Sequence, residues 1–170
     1  MAMPDRRTPS PFLLEREYWQ DRLARMDSVH RGLLMIPRSD LTTPFADVVE
    51  WRMRAHDGAR LWGLRALSPF HPEPRGVCVR EVSATELPEI RLETVSEGWA
   101  EFVLQVPAGR RLEDRVLDLL RVIQVVFSIC GVGADAVRLE ASLPAGQGRR
   151  PADELVIADR LVRQGLCSLS

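Results

Sequence analysis

Residues 47–67 constrain the fold more than any other stretch of the chain. Val49, Trp51, Met53 and Ala55 alternate with Glu50, Arg52, Arg54 and His56, a pattern that puts apolar side chains on one face of a strand and polar ones on the other. Asp57-Gly58 follows, and then a second strand-like run over 60–67. An Asp-Gly pair between two such runs predicts a β-hairpin in which both turn positions take positive φ. Glu50, Arg52 and Arg54 read as a solvated strand face, and His56, in the turn, as solvent-exposed.

Upstream, Ser10 and Pro11 open a helix at about residue 12, with Leu14, Tyr18, Leu23, Met26 and Val29 roughly along one face and Gly32 at its end. Residues 33–46, with Pro37 and Pro44, read as an irregular arm. Downstream, a loop holding Pro69, Pro72, Pro74 and Gly76 leads into alternating elements. These are a strand over 77–82, a short helix over 85–97 despite Pro88, a strand over 99–106, a helix over 112–129, a strand over 137–142 and a helix over 152–163. The 112–129 segment is rich in β-branched residues in its second half. Leu112, Val116, Leu119, Leu120, Ile123 and Phe127 nevertheless keep helical spacing. A hairpin followed by βαβαβα predicts a mainly parallel α/β sheet with helices on both faces, in three layers. Residues 1–46 form an N-terminal helix and arm, and 47–170 the α/β domain, as one structural unit. Ligands of such a sheet bind at the carboxyl ends of its strands, here after Val82, Val106 and Ser142.

A chain of 170 residues suits one domain. The net charge of −1 gives no general attraction to nucleic acid or to an anionic membrane. All 23 basic residues are arginine, so lysine chemistry, from Schiff bases to a P-loop lysine, is ruled out. Cys78, Cys130 and Cys167 are odd in number and scattered, which points to reduced core thiols rather than a disulfide framework. His30, His56 and His71 are too dispersed for a zinc site, and no metal or other cofactor is expected. Trp19, Trp51, Trp62 and Trp99 read as core or near-core packing. The N-terminus lacks a signal-peptide pattern and no apolar run is long enough to span a bilayer, so a cytoplasmic protein is expected.

Four segments carry a family resemblance: EREYWQDRLARM (15–26), VVEWRMRAHDGARLWGL (48–64), EGWAEFVLQVPAGR (97–110) and LDLLRVIQVVFSICGVGADAVRL (117–139). Together they resemble the acetyl xylan esterase and cephalosporin-C deacetylase branch of the α/β-hydrolase fold. The resemblance implies an N-terminal helix, a first hairpin, and the helix, turn and strand that lead to the family's nucleophile. It departs at the functional motifs. Where the family has an oxyanion His-Gly segment, this chain reads REVSATE (80–86). The nucleophile belongs in G-x-S-x-G, whose glycines permit a strained turn that exposes the hydroxyl. Ser142 instead has Glu140 and Pro144 at the glycine positions, and Gly146 and Gly148 flank Gln147. The triad Asp and His come from later strands of the family, which this chain is expected to lack.

Ser142 remains the one nucleophile candidate, with strand-end backbone bonding as its ordinary role. Gly146 and Gly148, with Arg149 and Arg150 beside the start of the last helix, could bind an anion or make only a tight turn. Two functions stay open. One is a non-catalytic, pseudoenzyme-like binding or assembly module that pairs through its last strand and helix with a second copy or another protein, through Val137, Leu139, Ala141, Leu155 and Leu161. The other is a small serine esterase or deacetylase with a rearranged or dimer-completed site.

Overall fold

The 47–67 stretch folds as its alternation requires. Strands β2 (Asp47–Arg54) and β3 (Arg60–Leu67) pair antiparallel, with Trp51 opposite Gly63 and Arg54 opposite Arg60. The turn differs from the expected two-residue type. Only Gly58 has positive φ, at 87°, and no non-glycine residue described does. Gly58 donates its N–H to Ala55 O at 3.0 Å while Ala55 N donates to Ala59 O at 2.8 Å. This is a three-residue loop, a tight turn followed by one left-handed glycine, and Asp57 needs no strained φ.

A computed structural model describes residues 16–27, 33–130, 132–141 and 153–164. Besides the hairpin it contains α1 (Arg16–Asp27), β1 (Leu34–Pro37), β4 (Gly76–Val82), α2 (Leu92–Ser96), β5 (Trp99–Gln105), α3 (Leu112–Cys130), β6 (Val137–Ala141) and α4 (Asp153–Arg163). Among the described residues the sheet has six strands in the order β1-β2-β3-β5-β4-β6.

The sheet is mixed, not mainly parallel. The pairs β1·β2, β2·β3 and β3·β5 are antiparallel, and only β4·β5 and β4·β6 are parallel. The hairpin joins the same sheet as the βαβ units, and β5 enters beside β3 running against it. The expected irregular arm supplies β1, which adds to β2 with Leu34 opposite Arg52 and Pro37 opposite Val49. Four residues are too few to show a period, and proline is tolerated on such an edge strand. The expected helix over 85–97 shrinks to Leu92–Ser96. Polar contacts hold the preceding segment extended: Arg80 Nη2 donates to Glu89 O, and Arg91 N donates to a Glu101 carboxylate oxygen at 2.7 Å.

Apolar side chains fill both faces. On one, Trp19 and Leu23 of α1, Trp51 and Met53 of β2, Phe102 and Leu104 of β5, and the apolar side chains of α3 and α4 form the large core. On the other, Val48, Leu64 and Ala66 pack with Val95 of α2. Helix α3 is buried nearly all round, from Val116 and Leu117 to Val126, because it lies between the sheet, α1 and α4. Its β-branched residues therefore reflect burial, and the helical reading of 112–129 holds. Trp19 and Trp51 are buried, and Trp62 and Trp99 half-buried. No described helix is long and apolar enough to cross a membrane.

Candidate functional site

From β4 the chain crosses through α2 to β5 on one side. From β5 it returns through α3, on the opposite face, to β6 on the other side. The carboxyl ends of β4 and β6 therefore border the switch point at which open α/β sheets bind ligands. The hairpin turn, the loop after β5 and the N-terminal turns of α3 and α4 gather charged groups at this same end.

Three linked groups occupy it. In the first, Glu81 of β4 lies against Glu154 in the first turn of α4, both almost fully buried. Arg115 of α3 donates through Nη2 to Glu154 Oε2. Burial first, then the hydrogen bond and charge of Glu154, push the Glu81 carboxyl up to about 9, so at neutral pH Glu81 is protonated and donates to Glu154. Glu81 Oε1 has no hydrogen-bond partner. In the second, Arg110 forms a two-point pair with Asp118, Nη2 to Oδ1 at 2.7 Å and Nε to Oδ2 at 3.0 Å, and reaches Asp57 Oδ2 with Nη1 at 2.5 Å. Burial outweighs this guanidinium at Asp118 and raises its carboxyl. In the third, His56 Nε2 lies 2.8 Å from Asp114 Oδ1, and Arg111 Nε donates to Asp114 Oδ2 at 3.3 Å. Desolvation opposes it, but the hydrogen bonds from His56 and Arg111 hold Asp114 below its ordinary value.

His56 is thus not the free, solvated side chain expected of a turn residue. The antiparallel hairpin carries it to the start of α3, with only 19% of its side chain exposed. His56, Asp57 and Asp114 offer ligand atoms within 4.8 Å of one another. Both Asp114 oxygens and both Asp57 oxygens already accept hydrogen bonds, from His56, Arg111, Arg110 and the Ala59 N–H. Two guanidiniums stand where a cation would have to displace them, so these residues do not make a metal centre. Among the described residues, the His71 ring bonds within its own loop, at Ser68 Oγ.

The opposite face carries a second buried network. Glu101, fully buried, accepts from Arg91 Nε at 2.8 Å and from Arg80 Nη2 at 3.4 Å, and Arg91 Nη1 reaches Glu140 at 2.9 Å. Cys78 donates to Glu140 at 3.3 Å. Burial first, then the Glu140 charge, push its thiol up to about 12, so the core thiol expected at this position is also unreactive. The side chain of Cys130, and Cys167, lie outside the described residues, as does His30.

Ser142, Gly146, Gly148, Arg149 and Arg150 also lie outside the described residues. Val137, Leu155 and Leu161 are buried in the chain's own core and Leu139 packs half-buried against it, while the Ala141 side chain is outside the description. Among the described strands β6 is an edge, and Arg163 Nη2 donates to Val137 O at 2.6 Å, which blunts its first residue against further pairing. Glu50, read as solvated, is buried and bound by Arg38 and Arg52.

The Glu81–Glu154–Arg115 group escaped the sequence reading. Its one signal is a charged pair, Arg80-Glu81, inside an otherwise apolar strand. Asp114 and Asp118, four apart at the start of α3, are the matching signal for the Arg110 and His56 pairs.

The Glu81 environment predicts a pH effect. The unfolded chain ionises this carboxyl near its ordinary 4.5 while the folded protein holds it protonated to about 9. The native state therefore loses stability as pH rises through that window, and nothing below it. Glu81→Gln keeps a donor toward Glu154 without the ionisable group. It is expected to stabilise by about 1–3 kcal/mol at pH 8, roughly 3–10 °C in Tm, and to change nothing at pH 4. Thermal melts of both proteins across this range decide it, and parallel curves would refute it.

No protein-family model matches the chain, and no curated protein is similar to it in sequence. Its fold is related to that of the acetyl xylan esterases. The acetyl xylan esterase from Paenibacillus sp. R4 superposes with a TM-score of 0.60 at 15% identity, over 79% of this chain and 52% of that one. Acetyl xylan esterase 1 from Thermoanaerobacterium sp. JW/SL YS485 gives 0.67 at 16% identity, over 91% and 55%. The chain thus spans about half the length of these enzymes, and identities this low relate the folds alone.

Proposed function

We propose that the chain is a non-catalytic binding or assembly module built on an esterase-type sheet. The observation that carries this reading is the set of mutually paired charges at the carboxyl ends of the strands. Arginine–carboxylate pairs and a protonated Glu81 against Glu154 engage one another there, as interior charges need partners. Acyl transfer needs a nucleophile, a base and oxyanion donors converging on one point. Among the described residues, the ring of His56 hydrogen-bonds to Asp114 rather than to a hydroxyl or thiol. Where the related enzymes are expected to place an oxyanion segment, Arg80 and Glu81 turn into buried networks on opposite faces of β4. Charges committed to one another in this way are not free to act on an ester.

Intact mass after treatment with a broad fluorophosphonate serine-hydrolase probe tests the reading. Unmodified, fully folded protein is expected. A stoichiometric adduct on a single serine, lost in Ser142→Ala without loss of folding, would overturn it in favour of a rearranged esterase.

A further inference from the structure

On the face of β1, β2 and β3 not covered by the large core lies a groove of about 660 Å³. Its wall is basic. Arg38, Arg52, Arg54 and Arg60 line it against one carboxylate, Glu50. Both Glu50 oxygens are already taken, Oε1 by Arg38 at 2.8 Å and Oε2 by Arg52 at 2.7 Å. Among the described residues neither Arg54 nor Arg60 forms an ion pair. They stand directly opposite each other in the β2·β3 register, and both are exposed. Like charges in that position are destabilising. Arg54 donates one bond, to the Gly58 carbonyl at 3.0 Å, and Arg60 has no ion-pair partner among the described residues.

Beside the two guanidiniums lie Trp62, opposite Arg52 in the register, and Leu34, 54% exposed. The indole is held in place: Nε1 donates to Gln105 Oε1 at 2.7 Å, and Gln105 Nε2 donates to Glu86 O at 2.7 Å. The groove thus combines paired cations with a rigid apolar wall, in a volume suited to a small molecule.

We propose that this groove binds a small organic phosphate, its phosphate between Arg54 and Arg60 and its apolar body along Trp62 and Leu34. A phosphate monoester carries close to two negative charges and three terminal oxygens. It can face both guanidinium forks at once and offset both charges. A carboxylate has one charge and two oxygens, and saturates one fork. The proposal goes beyond the non-catalytic reading and holds whether or not the crevice at the strand ends is catalytic.

Isothermal titration of the full chain at low ionic strength, where surface charges are least screened, tests it with phenyl phosphate, inorganic phosphate and benzoate. Phenyl phosphate is expected to bind most tightly. Arg54→Glu and Arg60→Glu are expected to weaken it at least tenfold, and Trp62→Ala to reduce its advantage over inorganic phosphate. Arg25→Glu, which makes the same charge change on exposed α1, should leave binding unchanged. Equal losses in Arg25→Glu and Arg60→Glu would reduce the effect to net charge and overturn the site. Equal affinity for benzoate would overturn the phosphate assignment, and equal affinity for inorganic phosphate the role of Trp62 and Leu34. Far-ultraviolet circular dichroism of each variant separates lost binding from lost folding.

Discussion

Gly63→Ala is expected to abolish the native fold. A Cβ built on Gly63 would lie 1.7 Å from Val103 O and 2.9 Å from Trp51 Cζ2. The first is a backbone oxygen of β5, which also pairs with β4 in the middle of the sheet. It can give way only by separating β3 from β5. Glycine inside a strand marks such a close approach of another backbone. The cost is on the order of 5 kcal/mol or more, comparable to the whole stability of a domain. Gly58→Ala is the matched control. Its Cβ meets nothing within 4 Å, so only the positive φ of 87° penalises it, at about 1–2 kcal/mol. Soluble yield and thermal melts of the two variants check the contrast. A Gly63→Ala protein that melts within a few degrees of Gly58→Ala would show that β3 and β5 can part cheaply.

Glu101→Ala is expected to lose about 3–5 kcal/mol at neutral pH, roughly 6–20 °C in Tm. Glu101 is fully buried and accepts from three donors: the Arg91 N–H, Arg91 Nε and Arg80 Nη2. Truncation leaves the Arg80 guanidinium, itself 7% exposed, without its carboxylate. It also removes the acceptor that sets the backbone at Arg91 just before α2. Removing one partner of a buried ion pair costs far more than the pair itself contributes. Glu97→Ala, an exposed position on the same connection, should stay within about 0.5 kcal/mol of the parent. Urea titrations of the two variants measure the difference. Equal midpoints would mean that water reaches Arg80 and that the network is not a dry one.

Where a physical period lies in neighbouring residues, the chain can be read without coordinates. The hairpin is legible because alternation and Asp-Gly both act within a few residues. Helix α3 is legible because its apolar spacing persists over many turns. The two misread connections share a cause. The 33–46 arm becomes a strand only because β2 offers an unpaired edge to Leu34–Pro37. Residues 87–91 stay out of the helix because Arg80 and Glu101, from two different strands, capture the backbone at Glu89 and Arg91. Neither partner lies near enough in sequence to leave a periodic signal.

The candidate sites follow the same division. Sequence alone determined that strands and helices alternate, that an esterase-like order of elements is present, and that Cys78 is a core thiol. Each rests on local pattern or on composition. Only the tertiary structure decided that the sheet is mixed, that Glu81 meets Glu154, that His56 meets Asp114 across 58 positions, and that Arg54 and Arg60 line one groove whose single carboxylate is already engaged. The physical reason is that desolvation and charge pairing depend on distance in space. Strand order and crossover direction, set by global packing, decide which charges become neighbours.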